Sequence, residues 1–337
     1  MRSAPLPHLA TLFTLLALLV TGCSSGTATS GAPAASGPRS ATVGLTYIPN
    51  VQFAPFYVAS KRGLFTGADV TLRHHGANEG LFTALAAGQE QFVIAGGDEM
   101  LQARAGGMDL VAVAQYYQTY PVTLIVPASS PIHTAADLKG RTVGVPGRFG
   151  ETWFGLQVAL KSAGLSESDV KIQEIGYTQQ AALTTGKVDA IVGFTNNDAV
   201  QFDAAGVAIR EVALTGGDVP LVSICLITNR ATLDSDPALV KAVAEGMVAG
   251  VKATVDDPAA AITDSTSFVP AIETDKTAQQ HARASLDATL PLWRGDGTID
   301  GRLDASRWSA MASFMADRGL LTKPVDASAA VAPDVLG

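Results

Sequence analysis

The chain has 337 residues, 47% of them apolar and only 16% charged, with a formal net charge of −8. That length suggests two lobes or one large domain, and the apolar fraction sustains a substantial core. The acidic balance argues against nucleic acid as a partner, because neutralising phosphates requires a basic face.

The N-terminus reads as a targeting segment. Arg2 supplies a sparse positive start, residues 9–20 (LATLFTLLALLV) form a short apolar stretch, and small residues then lead to Cys23. This is a secretory signal, too short and wrongly flanked for a transmembrane helix. Cys23 after Thr21 and Gly22 resembles the lipobox of bacterial lipoproteins, whose thiol receives a diacylglycerol and becomes the mature N-terminus. An ordinary cleaved signal containing a chance cysteine is the alternative. Residues 24–40 (SSGTATSGAPAASGPRS) have no apolar periodicity and suit a tether. The expectation is a signal peptide over residues 1–22 and a lipidated flexible tether over 23–40. The protein would then sit at the cell membrane, held on the extracytoplasmic face through Cys23. The second cysteine, Cys225, lies in the apolar run 221–227 (LVSICLI), which reads as a buried strand around a structural thiol.

From residue 41 the chain alternates short apolar runs with helix-like segments. Residues 42–47 (TVGLTY) predict a strand and 54–62 a helix stopped by Gly63. Strand 69–73 and helix 81–87 follow, the latter stopped by Gly88. Strand 92–95, helix 99–105 and strand 110–115 complete a first set. A second set holds strand 142–145, helix 151–163, strand 171–175, helix 179–185 and strand 190–193. Strands separated by helices of this length imply βαβ units and a mostly parallel sheet.

The two sets echo each other. Residues 84–88 (ALAAG) precede the FVIAGG strand, as 182–186 (ALTTG) precede the AIVGF strand, and each strand opens into a polar loop. The apolar strands 122–126 and 221–227 bracket the second set and are assigned as the crossings between lobes. The first lobe would then comprise 41–126 and 223–330, and the second 127–222. In the C-terminal part Asp304 predicts an N-cap, Trp308, Met311 and Met315 share one buried helical face, and Gly319 is the stop.

In α/β sheets ligands bind beyond the carboxyl ends of the strands. Aromatic residues make up 6% of the chain, yet they crowd into those loops: Tyr47, Phe53, Phe56, Tyr57, Tyr116, Tyr117, Tyr120, Phe149, Trp153, Phe154 and Phe194. Interleaved polar groups include Gln118 and Asp198. The candidate ligand-contacting set is Tyr47, Asn50, Gln52, Phe56, Asn78, Glu79, Asp98, Glu99, Gln115, Tyr116, Phe149, Glu151, Trp153, Phe194, Asn196 and Asn197. Apolar walls with a few convergent polar groups suit a small molecule, and ring faces suit a planar one. Core packing and ordinary turn chemistry are the competing explanations for each residue taken singly. Among cations only Arg148 stands out, in a Gly-Arg-Phe-Gly turn that would serve an anion except for the adjacent Glu151.

At the segments 47–50 (YIPN), 54–59 (APFYVA), 61–65 (KRGLF), 96–99 (GGDE), 111–116 (VAVAQY), 137–140 (DLKG), 143–145 (VGV) and 193–197 (GFTNN), the sequence resembles a known family. These are the binding proteins for thiamine-pyrimidine precursors, within the nitrate, sulfonate and taurine group of ABC-importer solute-binding proteins. The resemblance covers roughly residues 41–325. It implies two Rossmann-like α/β lobes joined by a two-strand hinge with a ligand cleft between them, the periplasmic binding protein type II fold. It implies an ABC permease as partner, a monomer, and a flat heterocyclic ligand. An aminopyrimidine comes first, riboflavin is the main alternative, and nitrate, sulfonate or taurine comes third.

Some pyrimidine-synthesising enzymes share the fold but look to carry a cysteine-rich motif, which this sequence lacks. The five histidines, His8, His74, His75, His133 and His281, show neither metal-ligand nor catalytic spacing. No catalytic residue, metal or cofactor is therefore expected, and activity should mean binding with lobe closure.

Overall fold

Two five-stranded mixed sheets organise the chain in the computed structural model, which describes residues 39–76, 79–148, 150–215, 221–295 and 297–337. The signal, Cys23 and the tether as far as residue 38, with Asn78 and Phe149, lie outside the described residues. Arg39 and Ser40, expected in the tether, open the first strand.

The elements of the first half are β1 (Arg39–Leu45), α1 (Ala54–Lys61), β2 (Ala68–His74), α2 (Thr83–Ala86), β3 (Phe92–Gly96), α3 (Gly97–Ala105) and β4 (Leu110–Gln115). Next come β5 (Val122–Pro127), β6 (Thr142–Val145), α4 (Gly150–Ser162), β7 (Lys171–Glu174), α5 (Gln179–Thr184), β8 (Ala190–Phe194), α6 (Asp198–Ala204) and β9 (Ile209–Val212). The chain ends with β10 (Ile224–Asn229), α7 (Arg230–Ser235), α8 (Pro237–Asp256), α9 (Pro258–Ser265), α10 (Ala271–Thr274), α11 (Lys276–Arg294) and α12 (Ala305–Asp317).

The first sheet runs β2-β1-β3-β10-β4 and the second β7-β6-β8-β5-β9, so the two match position for position. Within each, the three strands of the βαβ units are parallel. The strand that enters from the other lobe, β10 or β5, is antiparallel to both neighbours. The echo in sequence has a geometric basis: Gly88 (φ 70°) and Gly186 (φ 69°) each adopt the left-handed conformation that ends a helix before β3 or β8.

Two assignments change: residues 221–227, expected as the return crossing, pack in the first lobe and run into β10 of its sheet. Residues 122–126 do not cross between lobes but lie wholly in the second sheet, hydrogen-bonded to β8 and β9. The first crossing is instead residues 116–121, between β4 and β5. The reason is burial: a strand flanked on both sides and covered on both faces reads as one unbroken apolar run. The same holds for β10, where Cys225, the second residue, is fully buried.

Pleating splits each core in two. Phe92 and Ile94 of β3 join α1, α8 and α11 on one face, while Val93 and Ala95 join α12 on the other. Trp308, Met311 and Met315 of α12 are fully buried there, with Asp304 accepting from the amides of Ser306 and Arg307. In the second lobe Val192 and Ile191 of β8 divide in the same way. Among the described residues no helix is long and apolar enough to cross a membrane.

Candidate ligand-binding cleft

The carboxyl ends of the parallel strands of both sheets open onto one cavity with an empty volume of about 930 Å³, its mouth included. From the first lobe, the residues after β1 contribute Thr46, Tyr47, Gln52 and Phe53. The turn from β3 into α3 gives Gly96 and Glu99, and Tyr116 and Tyr117 follow β4. From the second lobe come Pro146 after β6, Glu151 and Thr152 on α4, Tyr177 and Gln179 after β7, and Phe194, Asn197 and Asp198 after β8.

Aromatic rings form the walls. Tyr47 and Tyr177 meet edge to face across the cleft, with ring centroids 5.2 Å apart. Tyr177 is among the few large apolar side chains left exposed, so this pair stands at the mouth. Deeper, Tyr116 and Tyr117 stack at 5.0 Å, and both rest edge-on against the buried Trp293 of α11. Such pairs fix ring orientation beyond simple area burial.

The polar lining is acidic and amidic. Among the described residues that line the cavity there is no Lys, Arg or His. The N-termini of α3 and α4 face the site, but each first turn carries its own acid: Asp98 and Glu99 on α3, Glu151 on α4. The partial positive charge of those helix ends is thus already matched by fixed carboxylates. Arg148 is drawn away to the surface, where it pairs with Glu167 (2.6 Å) and Glu174 (3.3 Å) above the Trp153 ring.

Burial dominates the titration of these acids. It raises Asp98 and, reinforced by the neighbouring carboxylates, lifts Glu99 and Glu151 well above the ordinary carboxylate range. Asp198 is raised by burial to about 6, opposed by the hydrogen bond its carboxylate accepts from the Phe194 amide (2.8 Å).

Eight of the sixteen residues predicted from sequence line the cavity: Tyr47, Gln52, Glu79, Glu99, Tyr116, Glu151, Phe194 and Asn197. Six others lie elsewhere, each for a local reason. Asn50 caps the short 3-10 turn at residues 51–53, accepting from the Gln52 amide. Phe56 is wholly buried in α1, packing beneath Tyr116. Gln115 donates to the carbonyl of Tyr117 (2.6 Å), bracing the backbone where the chain leaves the first lobe. Trp153, on the first turn of α4, faces an outer groove instead. Asp98 lies behind the wall, accepting from Tyr120 (2.7 Å). Asn196 bridges the lobes, its amide donating to Thr289 of α11 (2.9 Å) and to Tyr117 (3.3 Å). Asn78 and Phe149 are outside the described residues.

The sequence reading missed Tyr177 and Gln179 altogether. Both follow β7, so the post-strand rule applied to that strand as well would have found them. Phe53, Tyr117 and Asp198 were noticed among the loop residues but left out of the candidate set.

Comparison with known proteins agrees with this architecture. Residues 50–261 match the family described as NMT1/THI5 like. The chain is 33% identical over 332 residues, 94% of each protein, to the riboflavin-binding protein RibY of Chloroflexus aurantiacus. It is 24% identical over 291 residues to the formylaminopyrimidine-binding protein of Halalkalibacterium halodurans, covering 83% of this chain and 86% of that one. Among solved structures, the periplasmic aliphatic sulphonate binding protein SsuA from Escherichia coli superposes with a TM-score of 0.68 at 20% identity, covering 89% of this chain and 99% of that one. The chain belongs to the NMT1/THI5-like family and has the two-lobed periplasmic binding protein fold.

Proposed function

We propose that this NMT1/THI5-like chain is the substrate-binding component of an ABC importer and that its ligand is a flavin, riboflavin first. The observation that carries the reading is the cleft itself: aromatic rings from both lobes, amide and acidic groups between them, and no cation among the described lining residues. A tricyclic ring can lie against Tyr116 or Tyr117, or enter between Tyr47 and Tyr177 once their contact opens. Its uracil-like edge offers both donor and acceptor to Gln52, Gln179 or Asn197. Each buried hydrogen bond left unmade would oppose binding by about 1–3 kcal/mol, which supplies selectivity.

The sequence alone ranks an aminopyrimidine first; the similarity to RibY over 94% of each chain moves the flavin ahead. A sulfonate or nitrate fits poorly, because the helix ends that would hold it already carry Glu99 and Glu151. Enzymatic pyrimidine synthesis is disfavoured by the absence of the cysteine-rich motif. Capture outside the membrane, tethered through Cys23, completes the proposal, with lobe closure presenting the loaded protein to a permease.

The test is a fluorescence titration of riboflavin with the purified protein, since stacking on tyrosine quenches flavin emission. Saturable quenching, unaffected by excess sulfonate and weakly opposed by aminopyrimidines, is the expected result. Binding of formylamino- or hydroxymethyl-pyrimidine with riboflavin inert would replace the ligand and keep the transport role.

A further inference from the structure

Two of the cleft-lining acids, Glu99 and Glu151, belong to a carboxylate cluster that flavin stacking does not explain. Asp98 and Glu99 of α3 belong to the first lobe and Glu151 of α4 to the second, yet carboxylate oxygens from all three lie within 4.8 Å of one another. All three side chains are more than nine-tenths buried. Part of their hydrogen-bonding capacity is used: Asp98 accepts from Tyr120 and from the Glu99 amide, and Glu99 Oε2 accepts from the Gly96 amide (3.1 Å). Glu99 Oε1 and Glu151 Oε1, however, are buried with no hydrogen-bond partner. Among the described residues, no Lys, Arg or His pairs with any of the three.

We propose that Asp98, Glu99 and Glu151 form a binding site for a hard divalent cation, Ca²⁺ in the first place, that ties the two lobes together beside the ligand cleft. Three buried carboxylates without a counter-charge are an unstable arrangement unless a cation or shared protons neutralise them. Oxygens bound at about 2.3–2.6 Å to one Ca²⁺ can stand up to about 5 Å apart. Three carboxylates within 4.8 Å of one another can therefore share one ion, and the flexible coordination of Ca²⁺ suits ligands drawn from two lobes. The donor set is all oxygen, which suits Ca²⁺ or Mn²⁺ over zinc.

Two further observations support the site. Gly96 leaves exactly the space the cluster occupies: a Cβ there would stand 2.5 Å from Asp98 Oδ1, 2.9 Å from Glu151 Oε1 and 3.1 Å from Glu99 Oε2. An outer groove lined by Gln102, Arg148, Trp153 and Phe154 also reaches Glu99 and Gly150.

The experiment uses the full-length protein, stripped with a chelator and free of flavin, so that its outcome is independent of the ligand assignment. Calorimetric titration with CaCl₂, MgCl₂ and MnCl₂ is combined with Tb³⁺ luminescence sensitised by Tyr120. The expected result is one site per chain that takes Ca²⁺ with a dissociation constant of roughly 10⁻⁴–10⁻³ M, the range of extracellular modules. Ca²⁺ should displace Tb³⁺, and E99Q and E151Q should each weaken binding at least tenfold. Those variants remove a crowded charge at constant shape, so they should keep the wild-type near-ultraviolet circular dichroism spectrum. Wild-type protein that takes up no divalent ion at 5 mM, or Ca²⁺ binding unchanged in both variants, would overturn the proposal and leave the cluster holding protons.

Discussion

Asp198→Asn isolates the electrostatic character of the cleft in a single atom. Asp198 opens α6 at the end of β8, is 5% exposed, and packs against Gly193, where a Cβ would come within 2.8 Å of its carboxylate. Burial raises its pKa from 3.8 to about 6. Because the folded state holds the proton more tightly than the unfolded chain, the stability Asp198 provides is full below about pH 4 and is lost as pH rises through 6. At about 1.4 kcal/mol per pH unit, ionising this buried group disfavours the folded state by about 3 kcal/mol at pH 7. Asparagine preserves the shape and still accepts from the Phe194 amide, yet stays neutral throughout. The variant should therefore match the wild type to about 0.5 kcal/mol at pH 4 and exceed it by about 3 kcal/mol at pH 7. Chemical denaturation of both proteins between pH 4 and 8 reads the difference directly, since all other groups cancel. A difference that stays constant across that range, or an asparagine variant less stable at pH 7, would refute the account. It would mean that the N-terminus of α6 and the Phe194 amide outweigh desolvation.

Three other substitutions probe separate links. Tyr177→Ala removes one half of the edge-to-face pair at the mouth, an interaction of about 0.5–1.5 kcal/mol. Riboflavin should dissociate several-fold faster in stopped-flow measurements, with little change in melting temperature because Tyr177 is 40% exposed. Asn196→Ala cuts the bridge from the second lobe to Thr289 and Tyr117, so affinity should weaken by about 1–3 kcal/mol. The ligand-free scattering radius should grow, and an unchanged radius would show that this bridge does not hold the lobes. Gly250→Ala tests the packing of α8 on α1. A Cβ there would collide with the Pro55 carbonyl oxygen, which is backbone and cannot rotate aside. Overpacking of this kind lowers stability by about 1–3 kcal/mol, which denaturant unfolding would show at unchanged helix content.

Much of the architecture was written locally. Strands 110–115 and 142–145 were placed to the residue, because valine-containing runs bounded by glycine and polar turns are too short for a competing helical period. The N-cap at Asp304 and the buried face of Trp308, Met311 and Met315 followed from spacing alone. The echo between residues 84–88 and 182–186 announced two similar lobes, and half of the residues picked by post-strand position line the cavity.

Other features required the tertiary structure. That residues 122–126 lie inside the second sheet depends on pairing with β8 and β9, and a buried strand looks the same in sequence whichever sheet it joins. Which loop side chains face the cavity depends on a rotation of about 100° per residue at each helix start. This turns Glu151 inward and Trp153 outward, only two positions apart on α4. The convergence of Asp98, Glu99 and Glu151 is invisible in sequence, since some fifty residues separate α3 from α4 and only the docking of two lobes brings their carboxylates together. Periodicity records what a residue buries along its own element. What it meets from another element is settled only when the lobes pack.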